Sequence, residues 1–445
     1  MYVAKPPTMA ELFDRIKPER LVEVLGGEAP NGSYLHWDKL RHLEPPPGLT
    51  HEEWWARIKF ARQGSKRPLP LTDAEGRPLT YSLPDPVLRL LHHVDQRTSG
   101  EIAMPEVVTA DEGARRRYLV NSLMEEAIRS SQLEGARTSQ QVAKELLRSG
   151  REPRDRSEQM ILNNYRALNF MREELGDELN PGGVLELHRI LTEGTLDNPD
   201  AAGRLQRPDE ERVAVIDRTD GTILHQPPPA EQLPGRLDAL CEFANDRGDE
   251  RFIHPAVRAL LLHFWVGFDH PFEDGNGRTA RALFYWCMGE RGYWLVEYLS
   301  ISRILRAAPS KYMRSFLLTE TDEGDTTYFL LYQLEVIERA IAELHAYLER
   351  KVAEVREIER LIRGDGSFNH RQLALLSDAL RHGDREYTFR THAAMHQVTH
   401  ETARSDLYQL VDQGLLEQRR SGRAYRFAPA LDLAGRLRRL GDGLA

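Results

Sequence analysis

Read for the spacing of its apolar positions, the chain changes character three times. The first hundred residues hold no sustained period and are rich in proline and tryptophan, as in "GSYLHWDKLRHLEPPPGLTHEEWWARIKFARQ". Short helices are predicted at 9–16 and 51–62, followed by two short extended pieces around the "DAEG" turn. Trp37, Trp54 and Trp55 either cover a small N-terminal core or line a binding surface, and large aromatics are more often buried. From Ala110 to Leu361 apolar residues recur at helical spacing, as in "GARRRYLVNSLMEEAIRSSQLEG", "SEQMILNNYRALNFMREEL" and "HPAVRALLLHFWVGF". One stretch breaks the pattern. In "RVAVIDRTDGTILHQPPP" two extended runs flank Asp220–Gly221, a favoured type I′ hairpin turn. A lone hairpin in a helical region either covers a helix end or holds an extended partner along its edge. Residues 326–362 read as one long helix. Leu334, Ile337, Ile341, Leu344 and Leu348 form a seam for the protein's own core or for a second copy in a homodimer. The last region reads as three helices and a second hairpin, the order of a winged helix-turn-helix. The expected fold class is mainly α, in segments 1–109, 110–362 and 363–445.

Composition narrows the classes little. The chain has 445 residues, 40% hydrophobic and 29% charged, with a net charge of −9, which argues against a protein that coats nucleic acid or a membrane surface. Its two cysteines, Cys241 and Cys287, have no metal-type spacing, and a reducing compartment is expected. The N-terminus lacks the order of a secretory signal, and the most apolar run, Ala259–Phe268, is too short to span a bilayer. The expected location is cytoplasmic, without membrane contact.

The densest chemistry lies in "HPFEDGNGRTAR", His270 to Arg281. Pro271 disfavours helical dihedrals at His270, so the preceding helix is expected to stop there, with Phe272 packing the turn onto the core. "EDGNG" reads as a tight loop whose glycines allow positive φ, and a helix resumes after it. Free N–H groups at a helix start make an anion site. Arg278 and Arg281, three apart, can face the same ligand. Asp274 is a hard oxygen ligand suited to Mg²⁺, and His270 is a base titrating near neutrality. "GNGRTA" formally fits a dinucleotide fingerprint, but that needs a preceding strand, and here a helix precedes.

The twelve residues resemble the signature of the Fic family, H-P-F-x-[D/E]-G-N-G-R-x-x-R, at every fixed position. The resemblance extends over about 110–361 and implies an all-helical Fic core. It also implies transfer of AMP from ATP to a Ser, Thr or Tyr hydroxyl of a target protein, or of the protein itself. His270 would deprotonate that hydroxyl and Asp274 would hold Mg²⁺. Gly275, Asn276 and Gly277 would cradle phosphate oxygens, and Arg278 and Arg281 would bind the β- and γ-phosphates. Relatives that transfer phosphate instead carry lysine where this chain has Gly277. The upstream hairpin would be a target-docking flap, with Val213, Ala214, Val215 and Ile216 offering a strand edge.

"SSQLEG" resembles the family's inhibitory motif. Ser130 and Glu134 share a helix face, and Gly135 reads as its end. A carboxylate brought to Arg281 would pair with it bidentately and stand where the γ-phosphate belongs. A displacement of about one ångström at the reacting atoms can cost a hundredfold. In some relatives the same glutamate helps remove AMP, so a bifunctional enzyme is an alternative. A second alternative is a DNA-binding regulator with a sensory Fic domain. Arg419, Arg420, Arg423 and Arg426 fall on the expected wing, where phosphate contacts belong, and the same module serves equally well for protein contacts.

Overall fold

The computed structural model describes residues 2–26, 33–98, 112–212, 214–216, 223–246, 252–364, 367–381, 385–421 and 424–442. It is mainly helical, with three two-stranded antiparallel sheets. Residues 1–100 group with 122–341 as one compact unit, and 101–121 with 342–445 as another.

In the larger unit the N-terminal aromatics are core. Trp54 and Trp55 are buried with Leu12, Val24 and Leu40, and Trp37 packs against them half-buried. Buried charge ties this segment to distant sequence. Lys59 Nζ donates to Asp322 Oδ1 and Glu323 Oε2, both at 2.7 Å, and Arg62 donates to the Tyr328 hydroxyl at 2.9 Å. The "DAEG" turn joins strands Arg67–Thr72 and Pro78–Tyr81.

The helix Pro255–Asp269 is apolar on every side and almost wholly buried, the pattern of a helix through the middle of a core. Helix Asn276–Glu290 packs along it, and helices Arg156–Glu173 and Pro181–Thr192 pack against the latter. Local chemistry sets the starts of those two. Asp155 accepts from Glu158 N at 2.8 Å, and Asn180 caps a helix whose first residue is Pro181. The long helix runs Thr327–Gly364, and Leu334, Ile337 and Ile341 are buried within this chain. The flap hairpin pairs Val215–Ile216 with Ile223–His225. Its expected turn at Asp220–Gly221, and Val213, lie outside the described residues.

The C-terminal unit has helices His370–Arg381, Phe389–His396 and His400–Asp412, then the strands Leu416–Ser421 and Ala424–Pro429. Leu376, Leu407, Leu410 and Phe427 centre its core. A fourth helix, Leu433–Asp442, follows the hairpin and was not legible, because only Leu433 and Leu437 mark its buried face among arginines and glycines. On this hairpin, expected to be a wing, Arg419 pairs with Glu417 at 3.4 Å, and Arg426 pairs with Glu386 at 2.7 Å. Arg423 lies outside the described residues.

Candidate active site

The site is built where Pro255–Asp269 stops and Asn276–Glu290 starts. Asp269 fixes the stop: its carboxylate accepts from Arg236 at 2.9 and 2.6 Å and from Trp265 Nε1 at 2.9 Å. His270 then turns left-handed, with φ 45° and ψ 53°, rather than into the extended conformation usual before proline. Arg212 holds this conformation in place by donating to the carbonyls of Asp269 at 2.8 Å and His270 at 3.2 Å. Gln206 N donates to the Pro271 carbonyl at 2.9 Å.

Phe272 is fully buried and anchors the loop as expected. It stacks on His188, ring centroids 3.8 Å apart and planes 7° apart. His188 Nδ1 accepts from Gly203 N at 3.0 Å, so the ring proton is on Nε2, which donates to the Asp274 carbonyl at 2.8 Å. Burial lowers the His188 pKa to about 4, so the ring stays neutral in this role. Asn276, expected at the phosphates, has both ends of its amide on the Phe272 backbone, at 2.9 and 2.8 Å, and shapes the loop instead. The following helix begins at Asn276, with Gly275 at φ 87° before it, so the expected loop is two residues shorter.

The structure brings together His270, Asp274 and the two arginines of the signature. Burial pushes His270 down to about 4, with Arg212 and any positive charge on His225 acting the same way, against a hydrogen bond to the Gly267 carbonyl and the charge of Glu134. At neutral pH the ring is an unprotonated base. Arg278 is buried. Its Nη1 donates to the Leu191 carbonyl at 2.8 Å, while Nε and Nη2 have no hydrogen-bond partner. Arg281 is equally buried and leaves Nη1 unpartnered. Buried guanidinium N–H groups without acceptors are costly, and these three are available to donate to an anion. Asp274 is half exposed. Its Oδ1 accepts from Gly275 N at 2.6 Å and its Oδ2 stands 3.7 Å from Arg278 Nη2. This fits a hard cation that takes one carboxylate and completes its shell with phosphate oxygens and water.

Ser130 and Glu134 arrive from the end of helix Glu112–Leu133, which Gly135 terminates at φ 104°. Arg281 Nε donates to Ser130 Oγ at 2.9 Å and Nη2 to Glu134 Oε1 at 2.8 Å. The carboxylate takes one N–H, not the expected two-pronged fork, because Ser130 occupies the guanidinium edge beside it. Of the flap residues, Ala214, Val215 and Ile216 are described, the last two as the strand paired to His225 and Ile223. His188 and Arg212 were not legible as site residues. A lone histidine or arginine in a helical pattern carries no such signal.

The sequence profile described as the Fic/DOC family matches residues 178–288. A protein adenylyltransferase Fic of Nematostella vectensis is 30% identical over 126 residues, 28% of this chain and 26% of that protein. Protein adenylyltransferase fic-1 of Caenorhabditis elegans is 33% identical over 117 residues, 26% of this chain and 20% of that one. The matched part thus spans about a quarter of these relatives' length. A solved Fic family protein from Desulfovibrio desulfuricans G20 shares the fold at a TM-score of 0.51 and 18% identity, over 79% of this chain and 97% of that one. Among the described residues no helix is long and apolar enough to cross a membrane.

Proposed function

From the premise that residues 178–288 are a Fic domain of the Fic/DOC family, we propose that this protein is an adenylyltransferase acting on protein hydroxyl groups and restrained by Glu134. The observation that carries the reading is the pairing of a neutral histidine with unpartnered, buried arginine N–H groups. Arg278 and Arg281 take the polyphosphate of ATP. Asp274 would hold Mg²⁺, which would supply charge neutralisation at the phosphates. His270 accepts the proton of a Ser, Thr or Tyr hydroxyl as that oxygen bonds to the α-phosphorus. The bond from α-phosphorus to the bridging oxygen breaks, and pyrophosphate leaves. Negative phosphates beside the His270 ring raise its affinity for the proton it must take. The Val215–Ile216 edge holds the target as an added strand.

Glu134 restrains the reaction by occupying an Arg281 N–H that the γ-phosphate needs, so ATP settles out of line for attack. The same carboxylate is where a reverse, AMP-removing activity would arise. The DNA-binding alternative rests on the C-terminal unit, where two of the wing arginines are met by carboxylates. Incubation with α-labelled ATP tests the reading. Glu134→Gly should label itself or added protein roughly a hundredfold more than wild type, the scale of misplaced reacting groups. His270→Ala in either background should label nothing. Equal labelling by wild type and Glu134→Gly sinks the restraint, and labelling by His270→Ala sinks the base.

A further inference from the structure

The flap strand Ile223–His225 ends in a buried histidine whose two ring nitrogens both face acceptors. His225 Nε2 lies 2.5 Å from the Phe268 carbonyl oxygen, and Nδ1 lies 2.8 Å from Glu320 Oε2. A carbonyl and an ionised carboxylate can only accept, and a neutral imidazole has one N–H. The neutral ring therefore leaves one of these short contacts without a proton, whereas imidazolium satisfies both.

The surroundings favour the cation. Phe268 is the penultimate residue of Pro255–Asp269, where unpaired carbonyls carry the negative end of the helix dipole. Two carboxylates face the ring: Glu320, from helix Pro309–Thr321, and Asp269, whose oxygens are taken by Arg236 and Trp265. The nearby cations are Arg212 and Arg236, and His270 is neutral. Burial opposes the charge, but Glu320, the Phe268 carbonyl and Asp269 outweigh it, so the pKa of His225 is raised.

We propose that His225 is held as an imidazolium and is a positioning residue that locks the flap to the end of the helix presenting His270. His225 is the register partner of Val215, so the lock fixes the strand edge assigned above to the target. Its charge also helps keep His270 unprotonated. Only the consequence for the target rests on the proposed function, since the protonation and the lock stand on the contacts themselves. The sign follows from a raised folded pKa. The lock is fully present below the unfolded value of about 6.5 and fades as pH rises through the folded value.

The test uses the full chain with 15N-labelled histidine, His225 being assigned by its absence from His225→Gln. At pH 7 both ring nitrogens should be protonated, with titration above the ordinary histidine value of about 6.5. Glu320→Gln should bring that titration down. Exchange protection of the Val215 and Ile223 amides should fall at least about tenfold across the titration, beyond the trend in His225→Gln, as expected for losing one charge-assisted hydrogen bond. A singly protonated ring at pH 7, or protection that follows His225→Gln throughout, overturns the lock. Neither readout uses ATP, so both decide the inference even if no AMP is transferred.

Discussion

The two glycines of "GNG" serve different ends, and the difference is visible only in space. Gly275 stands at φ 87° with a Cβ position 2.8 Å from Thr192 Cγ2, so the turn itself requires it. Gly277 has ordinary helical dihedrals and is required for room: a Cβ there would lie 2.2 Å from Glu134 Oε1 and 3.1 Å from Arg281 Nη1. By sequence both are loop glycines, since nothing near them in the chain says that His188 and Thr192 close the turn early. Gly277→Ala therefore has a sign that depends on residue 134. With Glu134 present it should destabilise by about 1–3 kcal/mol, as overpacking does. In Glu134→Gly it should stabilise by about 0.5–1 kcal/mol, the ordinary gain of alanine in a helix. Urea unfolding of the four proteins measures both, and the same sign in both backgrounds would show that the carboxylate is not what fills the space.

At the scale of the element, the carboxylate proposed to restrain transfer is only as well placed as the helix that carries it. The last turns of Glu112–Leu133 are pinned from two sides. Asn164 Nδ2 donates to the Ala127 carbonyl and to Ser131 Oγ, both at 3.3 Å. On another side buried Glu126 accepts from Ser300 Oγ at 2.9 Å, from Ser302 N at 3.2 Å and from Ser302 Oγ. Burial raises the Glu126 pKa, and the serines and Arg281 oppose it. Apolar periodicity made this helix legible, with its glycine stop and the facing of Ser130 and Glu134. It was blind to the pins, which join residues 33 and 37 apart through Asn164 and 174 and 176 apart through Glu126. Glu126→Ala removes one pin and leaves every hydrogen bond of Glu134 and Arg281 in place. Basal labelling by ATP should rise about tenfold, less than in Glu134→Gly, because sub-ångström to ångström drift of a positioned group costs one to two orders of magnitude. In the double variant Glu126→Ala should add nothing to Glu134→Gly, and an additive gain would place Glu126 in some other role.

For the whole molecule, the helical class and the helix–loop–helix around His270–Arg278 were legible, because both are written in local spacing. The grouping of residues 1–100 with 122–341 was not, since Lys59 and Arg62 reach partners more than 260 residues away. The same folding buries histidines that the sequence left as ordinary bases. Burial lowers His36, His188 and His270 to about 4 and His263 to about 3, all in the larger unit. Each is neutral in the fold and free to take a proton at its ordinary value of about 6.5 when unfolded. Between about pH 6.5 and 4 the unfolded state thus binds more protons than the native state, so stability falls as pH falls across that window. His225, with its raised value, acts the opposite way and only above it. The urea midpoint should drop steadily from pH 6.5 to 4.5, above the range where most carboxylates titrate. Catalysis by Glu134→Gly should not mirror an exposed histidine. With His270 at about 4 in the free protein, kcat/KM measured while the protein remains folded should stay flat down to about pH 5.5. A limb centred near pH 6.5 in protein that is still folded would mean that the base is not the buried ring of His270, or that the loop opens to water before ATP binds.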